Sequence, residues 1–125
     1  MFEISFIQMK TIQIKRIYEE ASPDDGYRIL VDRLWPRGIS KIRAKLDEWN
    51  KEIAPSTEIR KWFDHQPERF DEFSELYKEE LNDKKEELKR IQTIAEKQKI
   101  TLLYGARDPK INHVIILLEV LTKSK

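Results

Sequence analysis

Asp32, Arg33 and Arg37 follow directly on the apolar run Ile29, Leu30, Val31, and Pro36 bars that run from continuing as a strand. A second group, Arg107, Asp108, Asn112 and His113, follows the apolar run ITLLY and Gly105. Guanidinium forks hold phosphate or carboxylate groups, and a carboxylate or imidazole beside them can take or give a proton. Arg33, Arg37, Arg107, Asp108 and Asn112 are therefore candidate ligand-binding residues, and Asp32 and His113 are candidate catalytic ones. Each also has a plain structural role open to it. Asp108 before Pro109 reads as a helix N-cap. Asp32 suits an ion pair with a neighbouring arginine, and His113 suits a hydrogen-bonded core histidine.

The elements needed to bring these groups together can be read from periodicity. Residues 11 to 18 alternate apolar and polar as a half-buried strand, Tyr27 to Val31 is a second strand, and Ile100 to Tyr104 is a third. ASPDDG, from Ala21 to Gly26, is turn chemistry. Ser40 suits the N-cap of a short helical turn through Lys45, and Pro55-Ser56 opens a helix that stops near Asp64-His65. Pro67 fits the first turn of a longer helix with a Phe70, Phe73, Leu76, Tyr77, Leu81 stripe. Asp83 and Glu86 have capping-box spacing ahead of another helix, and Asp108-Pro109 opens the nearly all-apolar INHVIILLEVL. Leu46 to Ile53 fits either a helix or a strand.

This order predicts an α/β fold: one small domain over residues 1–125, with a three- or four-stranded, mostly parallel sheet and helices packed around it. The orientation of the first strand relative to the second stays open, because the turn between them is shorter than a usual parallel crossover. In parallel sheets ligands collect beyond the C-terminal strand ends. If the second and third strands are parallel neighbours, the two polar groups face each other there. The N-terminus of the last helix would add its free N–H groups.

Composition limits the remaining choices. The 125 residues carry 24 Lys and Arg against 23 Asp and Glu, so the net charge of +1 argues against binding nucleic acid by bulk electrostatics. The charge is nonetheless uneven. Gly26 to Lys45 holds six basic residues against Asp32, and Asp64 to Glu87 holds ten acidic residues against four basic ones. The chain has no cysteine, which excludes disulfides and thiolate nucleophiles and makes the cytoplasm the expected compartment. MFEISFIQMK lacks the basic start and continuous apolar core of a signal peptide, and no window approaches a membrane span. Two histidines without an i, i+4 partner point to no metal, and no motif identifies a cofactor.

DDGYRILVDRLWPRGISK, the run from Ala54 to Phe70 (APSTEIRKWFDHQPERF) and TLLYGARDPKINH together resemble the YeaO-like family of prokaryotic proteins, a domain of unknown function. The resemblance covers roughly residues 9–122 and leaves 1–8 as an N-terminal extension. It implies a compact cytoplasmic α/β domain with Leu46 to Ile53 as a strand, and no activity. Longer relatives carry a Cys at the last strand's end and a Cys-His-Arg triplet on the following helix. Tyr104, Asn112, His113 and Val114 occupy those places here, so the resemblance does not carry over thiol chemistry.

Three readings follow. The first is a pocket for a small anion, phosphate or carboxylate, with catalysis left open. The second is a binding module using the Arg28–Lys45 segment against nucleic acid or an acidic protein. The third is a polar cluster that only locks loops together. None of the three names a ligand or fixes an oligomeric state.

Overall fold

The computed structural model describes residues 12–123, so the N-terminal extension expected at 1–8 lies outside the described residues. Four strands form one fully parallel sheet in the order β1-β4-β2-β3: β1 (Ile12–Arg16), β2 (Tyr27–Leu30), β3 (Glu48–Trp49) and β4 (Ile100–Tyr104). The first two strands are not neighbours. Both pair with β4, Ile12 with Ile100 on one side and Tyr27 with Ile100 on the other. Because both run parallel to β4, the ten residues between them (17–26) return from the C-terminal end of the sheet to its N-terminal end, where they form the 3-10 turn Pro23–Asp25. Leu46 to Ile53 resolves into the two-residue β3 followed by turns, too short for periodicity to reveal.

Five helices complete the described residues: α1 (Lys41–Ala44), α2 (Thr57–Phe63), α3 (Phe70–Asn82), α4 (Lys85–Lys97) and α5 (His113–Lys123). Ser40 caps α1 by accepting from the Arg43 N–H, as its position predicts, and Ser56 of the expected helix start caps α2 by accepting from the Ile59 N–H. Two expected helix starts are corrected. Asp83 does not cap α4, whose N-cap is Lys84 without a side-chain hydrogen bond. Asp108 caps only an isolated turn, accepting from Lys110 and Ile111 N–H at 2.8 and 3.2 Å. The helix begins later, where the buried Asn112 accepts from Val114 and Ile115 N–H at 2.9 and 3.2 Å.

The alternation of strand side chains gives the sheet two different faces. Ile12, Ile29, Val31, Ile100, Leu102 and Tyr104 face the main core, against Phe63, Phe73, Tyr77, Ile91 and Leu117 from the helices. On the other face Ile17, Leu30 and Leu103 form a smaller cluster with Ile39 and Ala44, flanked by Trp35 and Trp49. That face also buries charge. Asp25, 3% exposed, pairs with Lys15 at 3.1 Å and with Arg28 at 2.5 Å, and Arg28 also donates to the Ala44 and Lys45 carbonyls that end α1. Thr101 donates to the Asp25 carbonyl and accepts from Gln13, and among the described residues no buried side-chain polar atom at this end lacks a partner. Gly26 is required beside it: its φ is +66° and a Cβ would stand 2.3 Å from the Lys99 carbonyl oxygen.

Candidate functional site

At the opposite end of the sheet the chain leaves β2 and β4 side by side. Val31 extends the pairing by donating to the Leu103 carbonyl, which puts Asp32 at the strand end. Gly105 follows β4 and donates its N–H to Asp32 Oδ2 at 2.8 Å. A Cβ on Gly105 would lie 3.2 Å from that oxygen, so the close approach suits glycine. Trp49 Nε1 donates to the Asp32 carbonyl at 2.8 Å and ties β3 to the same point.

His113, the first residue of α5, reaches this strand end. Its Nε2 lies 2.8 Å from the Val31 carbonyl oxygen and 3.2 Å from Asp32 Oδ1. A carbonyl only accepts, so Nε2 carries a hydrogen and donates it to Val31. The N–H is aligned on Val31, not on Asp32. Asp32 Oδ1 is consequently buried without a hydrogen-bond donor. The two side chains keep 18% and 16% of their surface. Behind His113, Tyr77 presents its ring edge at 6.0 Å and donates its hydroxyl to the Ile53 carbonyl at 2.6 Å. Burial pushes the Tyr77 phenol well above its ordinary range, which keeps it protonated as that donor.

In front of this pair opens a cleft of about 400 Å³. Asp32, Gly105, Ala106, Asn112 and His113 form its floor at the strand ends, and Arg33, Leu34, Trp35 and Pro36 one wall. Arg60, Lys61, Asp64 and His65 from the end of α2 form the other, over Phe63 and Phe73. Arg33 is held by donating to the Pro55 and Ala54 carbonyls at 2.9 and 3.2 Å. Arg60 is not held: its Nε is buried without an acceptor. Among the described residues neither guanidinium meets a carboxylate, and the lining carries three cations against two carboxylates. The wall's final turn is conformationally unusual. Asp64 and His65 both take positive φ, 47° and 55°, which costs about 1–3 kcal/mol per residue and persists where surrounding structure imposes it.

Of the seven residues singled out from the sequence, the cleft brings together Asp32, Arg33, Asn112 and His113. Asn112 spends its amide on the α5 cap and on the Asp108 carbonyl, so two of the helix's N–H groups expected to face a ligand are taken. Arg37, Arg107 and Asp108 are exposed and stand outside the lining. Arg60 and Lys61 went unnoticed in the sequence because their face of α2 meets the strand ends only through tertiary packing. The one local signal was the sequence RKWFDH itself, a basic pair one turn before a histidine. Among the described residues no three metal-ligating side chains come together, and no helix is long and apolar enough to cross a membrane.

Comparison with known proteins agrees with the three motifs. The family model described as an inactive DUF488-N3 subclade matches residues 11–125. The chain belongs to this family. It is similar to the uncharacterized protein YeaO of Escherichia coli K12, 53% identical over 106 residues, covering 85% of this chain and 92% of that protein. Uncharacterized protein Rv3073c of Mycobacterium tuberculosis H37Rv is 41% identical over 110 residues, covering 88% of this chain and 92% of that one, and Mb3100c of Mycobacterium bovis matches to the same extent. No solved structure matches.

Proposed function

We propose that the cleft at the C-terminal strand ends binds a small anion, a phosphate or carboxylate, in a cytoplasmic protein. The observation that carries this reading is the pair of guanidinium groups without carboxylate partners, one of them with a buried Nε lacking an acceptor. Both side chains are partly buried, and a ligand anion would supply the counter-charge and the acceptor that the buried Arg60 Nε lacks. The description of the family as inactive, and a chain without cysteine, favour binding over thiol-based turnover.

The test is thermal stability with inorganic phosphate and a panel of anionic metabolites. An anion at 100 times its dissociation constant adds about 2.7 kcal/mol. Arg60→Ala is expected to abolish that gain by weakening binding about 2–5 kcal/mol, while ligand-free stability changes by less than about 1 kcal/mol. Wild type showing no anion-dependent gain would count against the site.

The basic segment offers a second reading. Arg28 and Arg33 are spent on internal bonds, but Arg37, Lys41, Arg43 and Lys45 are exposed without acidic partners among the described residues, around an Ile42 that is 86% exposed. A nucleic-acid or acidic-protein partner here would show binding that falls steeply with salt and is indifferent to Arg60→Ala.

A further inference from the structure

We infer that the ligand of the cleft is an acid that also carries a hydrogen-bond donor, a hydroxyl or amino group, seated against the Asp32–His113 pair. The inference rests on the anion reading and narrows its chemical class. A bare anion answers only the arginines of the two walls and meets a carboxylate on the floor. Asp32 Oδ1 is a buried acceptor with no hydrogen-bond donor among the described residues, and the donors around this strand end are committed elsewhere. Gly105 N–H serves Oδ2, and Trp49 Nε1 serves the Asp32 carbonyl. His113 Nε2–H serves Val31, and the Tyr77 hydroxyl serves Ile53. Trp35 Nε1, from the wall, donates to Ile39. The floor therefore holds in Asp32 Oδ1 an acceptor still without a donor, while Arg33 and Arg60 present donors only. A molecule that accepts at one end and donates at the other satisfies both, and buried polar groups left unpaired are what such a site discriminates against.

The experiment compares matched probes by titration calorimetry on the wild-type chain: glycerol 3-phosphate against n-propyl phosphate, and lactate against propionate, with inorganic phosphate alongside. Each pair shares its anion and differs in hydroxyl groups. The hydroxylated member is expected to bind about tenfold or more tightly. Asp32→Asn, which places an amide donor where the unmet acceptor stood, is expected to bring that ratio close to one. If it does not fold, His113→Gln carries the same comparison. Equal binding of the two members, or a ratio unchanged in the variant, overturns the inference and leaves the anion reading intact. Failure of all five probes, with Arg60→Ala also without effect on any anion of the metabolite panel, overturns both.

Discussion

Asp25 and Asp32 flank the same strand, one just before β2 and one just after it, and they live in opposite circumstances. Asp25 is enclosed by Lys15 and Arg28, and its oxygens also take the Ser22 N–H. Asp32 is likewise recessed but has one oxygen with no donor and only a histidine nearby. The strand end where partners are complete has a structural carboxylate. At the other end the incompleteness faces a cleft, which is where a protein keeps groups in reserve for a ligand.

The sharpest way to break this comparison is to remove each carboxylate in turn. Asp25→Ala leaves Arg28, a guanidinium 6% exposed, without its counter-charge, and is expected to cost about 3–5 kcal/mol in urea denaturation. Asp32→Asn keeps an acceptor for the Gly105 N–H and removes an unpaired charge, so its stability should stay within about 1 kcal/mol of wild type. Comparable losses in the two variants would mean that both ends are structural.

The two glycines extend the contrast. Gly26→Ala forces a Cβ onto the Lys99 carbonyl from a backbone conformation that side chains avoid, with an expected loss of about 2–3 kcal/mol by the same denaturation measurement. Gly105→Ala asks Asp32 to yield by a few tenths of an ångström, and should show in anion affinity before it shows in melting temperature.

Acid titration separates the ends by charge. Burial raises the Asp25 carboxyl, but the Ser22 N–H and the Lys15 and Arg28 side chains outweigh it and hold the group below its ordinary value of 3.8. A carboxyl that titrates lower folded than unfolded gives its full stability above that ordinary value and loses it as pH falls through the folded one. Stability should therefore fall below about pH 4, and Asp25→Asn should flatten that limb in circular-dichroism melts.

The smallest effect is expected on the sheet's β3 edge. Arg90 of α4 bonds Glu87 and reaches Glu48 of β3, and the Glu87 carboxyl is lowered chiefly by that Arg90 bond. Arg90 is half-exposed, so Arg90→Ala should cost no more than about 1 kcal/mol and less at high salt.

What the residues revealed in advance follows from range. Ile29–Val31 and Ile100–Leu103 announced buried strands, Ser40 a cap and Pro55-Ser56 a helix start, because those signals act between near neighbours. Asp108 and Asn112 both have cap chemistry, and no local rule tells an isolated turn from the helix that follows it. The meeting of Asp32 and His113 was legible once β2 and β4 were taken as parallel neighbours. The outward course of Arg37 and Arg107, and the approach of Arg60, depend on loop direction and helix docking that periodicity does not encode.

The strand order also has a consequence for how the chain is made. Translation delivers β1 and β2 early, yet among the described residues β1's sole neighbour in the sheet is β4, and β2 otherwise has only the two-residue β3. Roughly 70 residues separate Leu30 from Ile100, which at ribosomal speeds of about 5–20 residues per second is some 4–14 seconds of waiting. During that interval the nascent chain exposes Ile12, Ile29 and Val31 with nothing in the sheet to cover them, and the arrival of ITLLY closes both gaps in one step.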